Sequence, residues 1–223
     1  HRLTHLIEAT PNLDWLLLTK RPQNVTRMVP TEWMEGGWPA NCWLGATMEN
    51  QRYADLRTRW LRAIPAPVLF VSAAPMLGPI EFDFDVVDWV ITEGESGHDA
   101  RPSRQDWFRS ARDQCAAAGI PYHHKQHGEY VTVPVENDPR MTGGRAYTHP
   151  TGARCAAIIR LPGRSGTMRG GTTRPIEPGE RTNGAIMLDH DTLALKVGTG
   201  KAGRHLDGVE HLGVPVSPAL EAA

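Results

Sequence analysis

Val86-Val-Asp-Trp-Val-Ile-Thr-Glu-Gly-Glu-Ser-Gly-His-Asp-Ala-Arg-Pro102 opens as a short β-branched apolar run and turns abruptly polar. Val86 to Thr92 suits a strand buried on both faces, as parallel strands are. Glu93 and Glu95 follow, set among glycines, and the loop closes at Arg101 and Pro102. Ser103 with Asp106 three residues on has the pattern of a capping box. Beyond it Trp107, Phe108, Ala111, Cys115 and Ala118 recur at helical spacing until Gly119 stops the run. The order is buried strand, acidic turn, helix. In parallel α/β folds, chemistry is placed on the loop after the strand's carboxyl end. Glu93, Glu95 and the neighbouring Ser96 are therefore candidate site residues.

The same grammar recurs on both sides. Trp15-Leu-Leu-Leu-Thr-Lys-Arg-Pro22 is an apolar run tipped by Lys20 and Arg21. Cys42-Trp-Leu-Gly-Ala-Thr-Met-Glu-Asn50 ends in Glu49 and Asn50, and Asn50 suits the cap of a helix whose Tyr53, Leu56, Trp60, Leu61 and Ile64 oppose Arg57, Arg59 and Arg62. Val68 to Ser72 and Ile120-Pro-Tyr-His-His-Lys-Gln-His-Gly128 complete a set of five strands, the last carrying Lys125 and Gln126. Their starts lie roughly 30 residues apart, the length of a βαβ unit. The step from Val68 to Val86 is too short for a full helix. These strands predict a parallel sheet, open or curved into part of a (β/α) barrel. Polar tips at every strand predict an active-site face along one edge.

Composition narrows the partners. The 223 residues carry 24 basic and 25 acidic side chains, a net charge of −1, so no global field draws nucleic acid or an acidic membrane. Three scattered cysteines, Cys42, Cys115 and Cys155, form neither a metal-ligand cluster nor an even disulfide framework, which favours a reducing cytoplasm. No apolar run approaches the roughly 18 residues of a membrane span. The chain opens on His1 with an amphipathic run already under way, which predicts a further upstream segment.

All seven tryptophans precede Phe108, and after Tyr130 glycine, threonine and arginine dominate. The reading is a parallel α/β part over residues 1–130 and a β-rich, loop-rich extension over 131–223. Short antiparallel strands are expected at Ala156 to Leu161 and Ile186 to Val197, and disorder after Pro215. Arg164, Arg169, Arg174 and Arg181 read either as a phosphate-contacting loop or as a solvated linker.

The succession Leu16 to Gln23, Trp43 to Gln51, Pro75-Met-Leu-Gly-Pro-Ile80, Asp88 to Gly97, Ala100-Arg-Pro102 and Lys125-Gln-His-Gly128 resembles a phage-associated family of unknown function. The resemblance resumes at Ala202-Gly-Arg-His-Leu-Asp-Gly208. Complete members of that family resemble radical-SAM barrel proteins. The resemblance implies a TIM-like barrel, S-adenosylmethionine, and a four-iron four-sulfur cluster held by three cysteines of a preceding segment. It implies an enzyme acting on a nucleotide or modified base, with this stretch inactive by itself. Two positions depart from the family pattern, Ala74 where an acid is usual and Glu93 where glycine is usual. The first removes a polar contact, the second puts a charge where the backbone would approach a ligand, and whether they mark a degenerate copy stays open.

Other readings of the residues stay open. Glu93 and Glu95 share strand parity and so either form one acidic site or are solvated acids with Arg101 beside them. Lys20 and Arg21 either grip a phosphate or carboxylate or cap a strand in water. His123 and His127 either serve a metal with the two acids, as in a hydrolase, or pack. A non-catalytic phage or prophage binding module is the alternative class. The cofactor- or substrate-binding candidates are Lys20, Arg21, Glu49, Asn50, Ser72, Glu93, Glu95, Ser96, Lys125 and Gln126, with a small molecule or nucleotide as partner, nucleic acid as a further one, and no membrane.

Overall fold

A computed structural model describes residues 2–134, 181–182, 185–188 and 192–217. Helix α1 (Arg2–Ala9) leads into β1 (Trp15–Thr19), a 3₁₀ turn at Pro22–Arg27 and an irregular helical turn at Trp33–Gly37. Then come β2 (Cys42–Thr47), α2 (Gln51–Leu61), β3 (Leu69–Ala73), β4 (Trp89–Glu93), α3 (Gln105–Ala118) and β5 (Tyr122–Gln126). The five strands form one parallel sheet in chain order, β1-β2-β3-β4-β5. This is the expected winding of singly wound α/β sheets. Within this five-strand sheet β1 and β5 are the end strands.

Alternation along the strands sorts the side chains onto two faces. On one face, Trp15, Leu17 and Cys42 pack with Ile7 of α1 and with Trp33. Further along that face the Phe108 ring of α3 lies 4.6 Å from His124, and the Tyr122 hydroxyl bonds the Phe108 carbonyl. The opposite face is aromatic: Trp43, Phe70 and Trp89 cluster with Val68, and His123 stacks edgewise on Trp89. Gly45 makes room for this cluster, because a Cβ there would lie 2.2 Å from the Phe70 ring. Leu16 and Leu18, on β1 at the sheet's end, remain 45 % and 52 % exposed on that same face.

Two boundaries differ from the sequence expectation. Strand β4 begins at Trp89, because the amides of Val86 and Val87 instead donate to the Asp83 carbonyl and close a turn. Helix α2 buries Ala54, Arg57, Thr58 and Leu61, leaving Leu56 and Trp60 at 41 % exposure each. Arg57, expected on the outward face, lies at i+3 from Ala54 and i−4 from Leu61 and so turns inward. As anticipated, the β3–β4 connection contains no helix among its residues. Gln51 and Gln114 tether it instead: Gln51 exchanges bonds with Glu81, and Gln114 bonds the Ile80 carbonyl and the Phe82 amide.

The chain divides into two compact units that interleave along the sequence. The first comprises His1–Glu93, Trp107–Lys125 and His211–Ala223; the second, Gly94–Asp106 and Gln126–Glu210. In the first, the segment after His211 runs beside β5: Gly213 donates to the Tyr122 carbonyl, and the Trp89 indole donates to Gly213 at 2.8 Å. Of the stretch after Pro215, where disorder was expected, Ser217 is buried and its hydroxyl donates to Asp14 at 2.6 Å, while residues 218–223 lie outside the described residues.

The second unit holds the antiparallel strands β6 (Tyr130–Pro134), β7 (Arg181–Thr182), β8 (Ala185–Met187) and β9 (Thr192–Lys196), in the order β6-β9-β8-β7, followed by the single turn α4 (Thr199–Ala202). The strand expected near Ile186 is present as β8 and β9. The one expected at Ala156 to Leu161, Cys155, and Arg164, Arg169 and Arg174 lie outside the described residues. No described helix is long and apolar enough to cross a membrane.

Candidate functional site

Strand ends of the first unit carry a row of charged side chains. At the end of β2, Glu49 is buried between two cations: Lys20, just past β1, donates to Oε1 at 2.7 Å, and Arg57 of α2 donates to Oε2 at 2.7 Å. Arg57 is fixed three ways, since it also donates to the Thr47 carbonyl and its guanidinium lies 4.3 Å from the centre of the Tyr53 ring. Burial opposes ionisation of Glu49. The hydrogen bonds from Lys20, its own backbone and Arg57, with the Arg57 charge, outweigh burial and hold the carboxyl below its ordinary value of 4.5.

At the other end of the row, Lys125 of β5 donates to Glu93 of β4 at 2.6 Å. In both pairs the acid is the sheltered partner. Glu49 and Glu93 side chains are 10 % and 16 % exposed, against 61 % and 50 % for Lys20 and Lys125. An exposed pair of this kind contributes about 0.2–1 kcal/mol, whereas stripping a buried charge of its partner costs about 3–5 kcal/mol. The acids and Arg57 are therefore the fixed framework, and the lysines are the exchangeable groups.

The segment after β3 aligns this framework. Successive amides of Met76 and Leu77 donate to the carbonyls of Glu93 at 2.8 Å and Glu49 at 2.6 Å. The chain thus bridges β2 and β4 across the end of β3, just after the cis Ala74–Pro75 peptide. Gly78 then lies against Asn50, where an added Cβ would meet the Asn50 Cβ at 3.3 Å. The Pro75 to Ile80 motif is a backbone clip on the two acids.

Asn50 is committed to the helix, its side chain accepting from the Tyr53 amide as the cap of α2. Ser72 is buried at the end of β3, with its carbonyl accepting from Met48. The Arg21 amide bonds the Thr19 hydroxyl, and its guanidinium, exposed to solvent, makes no ion pair among the described residues.

Glu95, Ser96 and Gln126 belong to the second unit. Arg101 grips Glu95 through Nε and Nη2 at 2.8 and 2.7 Å, and its amide adds a third bond. Glu93 pairs with Lys125 within the first unit and Glu95 with Arg101 within the second. The Glu93 carboxylate is accommodated by Lys125. Ser96 is exposed, and the Gln126 carbonyl accepts from Gly94. Here the Gly94 turn meets His127 and Gly128 at backbone contact: a Cβ on Gly128, whose φ is +83°, would lie 2.4 Å from the Glu95 carbonyl oxygen. The His127 amide donates to Gly203, and its Nε2 lies 2.9 Å from the His205 carbonyl, an acceptor that requires the proton on Nε2. Four motifs distant in sequence thus build one turn cluster.

His123 packs on Trp89, and His127 is held by the Ala202 to Gly208 segment. Among the described residues no group of three or more His, Cys, Asp or Glu is placed to hold a metal ion. Sequence reasoning missed Arg57 and the Met76–Leu77 clip. Burial periodicity in α2 points to Arg57; the clip acts through amides, which every residue type supplies.

The model of a family described as protein of unknown function, DUF5131, matches residues 1–215, and the chain belongs to that family. No curated protein and no solved structure matches.

Proposed function

We propose that this family member is the ligand-holding part of an enzyme acting on a small polar molecule at the carboxyl ends of β1 to β5. The observation that carries this reading is the row Lys20, Glu49, Arg57, Glu93 and Lys125, which tips four of five consecutive parallel strands and is held in register by one backbone clip. The carboxyl ends of parallel strands are where α/β folds place ligands.

The finer proposal, resting on the motif resemblance, is a radical-SAM-type enzyme of phage or prophage origin whose substrate is a nucleotide or modified base. The strand-end groups fit S-adenosylmethionine: Glu49 and Glu93 suit its ammonium and ribose hydroxyls, and Lys20 and Lys125 its carboxylate. Bound there, it would be the source of the radical. The described thiols do not fit an iron–sulfur cluster. Cys42 and Cys115 are buried, and burial pushes their pKa values up to about 11 and about 12, so neither offers a ready thiolate. No step is assigned to a cluster on these residues.

A non-catalytic binding module is the second reading. It is favoured by the internal pairing of each charged group in the row. The test is anaerobic reconstitution of the natural full-length protein with iron and sulfide, then assay for 5′-deoxyadenosine with reductant and S-adenosylmethionine. Product formation is expected. A folded protein that binds S-adenosylmethionine without forming product would instead establish the binding module.

A further inference from the structure

The ionic cluster at Glu49 carries one positive charge more than it needs. Two cations, Lys20 and Arg57, contact one carboxylate. Arg57 is buried and held by the Thr47 carbonyl, Glu49 Oε2 and the Tyr53 ring, so it stays. Glu49 stays too, because its backbone is clipped by Leu77 and its other oxygen belongs to Arg57. Lys20 differs in every respect: it stands past the end of β1, its side chain is 61 % exposed, and its hydrogen bond among the described side chains is to Glu49 Oε1. Arg21 beside it exposes a second cation.

We propose that Lys20 is the anion-recognising residue of the strand-end site, leaving Glu49 to bind a carboxylate or phosphate group of the ligand while Arg57 keeps Glu49 neutralised. This rests on the strand-end row being a ligand site and adds the ligand's chemical class. The pair Lys20–Glu49 is then a resting latch. An anion that outcompetes the one carboxylate oxygen bound to Lys20 gains a charge-assisted bond, and Arg57 leaves no buried charge alone. The anion end of the ligand is thereby assigned to β1 and β2, where Arg57 still holds Glu49 once Lys20 leaves.

The experiment titrates the full chain with inorganic phosphate and follows the lysine Nζ resonances by NMR, with adenosine as an uncharged second probe. Phosphate should shift the Lys20 signal saturably, and Lys20→Gln should weaken its binding about tenfold or more while Lys20→Arg retains it. Equal phosphate binding by wild type and Lys20→Gln overturns the proposal, as does a response spread evenly over surface lysines. If adenosine perturbs the strand-end amides while phosphate leaves Lys20 unmoved, the anion role is wrong and the ligand site stands. If neither probe perturbs the row, both fall. The wild-type Lys20 signal decides the matter should a variant fail to fold.

Discussion

The Leu77 amide donates to the Glu49 carbonyl at 2.6 Å across the end of an intervening strand. Its neighbour Met76 does the same for Glu93. Two acids from different strands are thereby set by adjacent residues of one loop, which gives the strand-end row a rigid spine. The consequences fall on the side chains those backbones carry.

Arg57 should be the most costly member of the row to remove. Arg57→Met leaves Glu49 buried with only the exposed Lys20, and a loss of about 3 kcal/mol is expected in urea unfolding. Adding Glu49→Gln to Arg57→Met should recover part of that loss, since the uncompensated charge is gone. A cost equal to that of Lys20→Gln would contradict the framework role of Arg57.

Acid should weaken the fold through Glu49. Its folded pKa lies below the ordinary 4.5, so its ionised form contributes stability that is fully present above that value. The contribution is lost as pH falls through the folded value. Melting temperatures from pH 7 down to pH 3 should therefore drop more steeply for wild type than for Glu49→Gln. Parallel curves would remove Glu49 from the acid response.

Gly45→Ala tests the aromatic face. The new methyl would meet the Phe70 ring at 2.2 Å, so the ring or the strand has to shift. A loss of about 1–3 kcal/mol is expected, as for other overpacked cores. Combining it with Phe70→Leu should cost less than the sum of the single changes, measured by thermal or urea unfolding.

Thiol labelling of the native protein at pH 8 should spare Cys42 and Cys115. Both are buried, with pKa values pushed up to about 11 and about 12. Peptide mapping should find them modified only after denaturation. Rapid native labelling at either position would make that thiol available for chemistry.

Much of the first unit was legible because apolar runs, polar tips and capping residues report local structure. The starts of β1 and β2 and the cap at Asn50 are fixed by residues within a few positions of each element. The start of β4 was misplaced because Val86 and Val87 have strand propensity but close a turn on Asp83, a choice propensity does not register. Arg57 was misjudged because residue type usually implies exposure, and only the partner at Glu49 reverses that.

By itself, the sequence determined a parallel α/β sheet with charged residues at its strand ends, since alternation and breaker residues are properties of neighbouring positions. Which charges meet between strands was decided by tertiary structure alone. Lys20 reaches Glu49 and Glu93 reaches Lys125 because strand order brings them within hydrogen-bond distance, whereas Glu95 and Arg101 lie only six residues apart on one loop. Strand parity constrains only the face on which a side chain emerges. The choice of partner depends on residues tens of positions away, as Glu93 and Lys125 show, and that information exists only once the chain has folded.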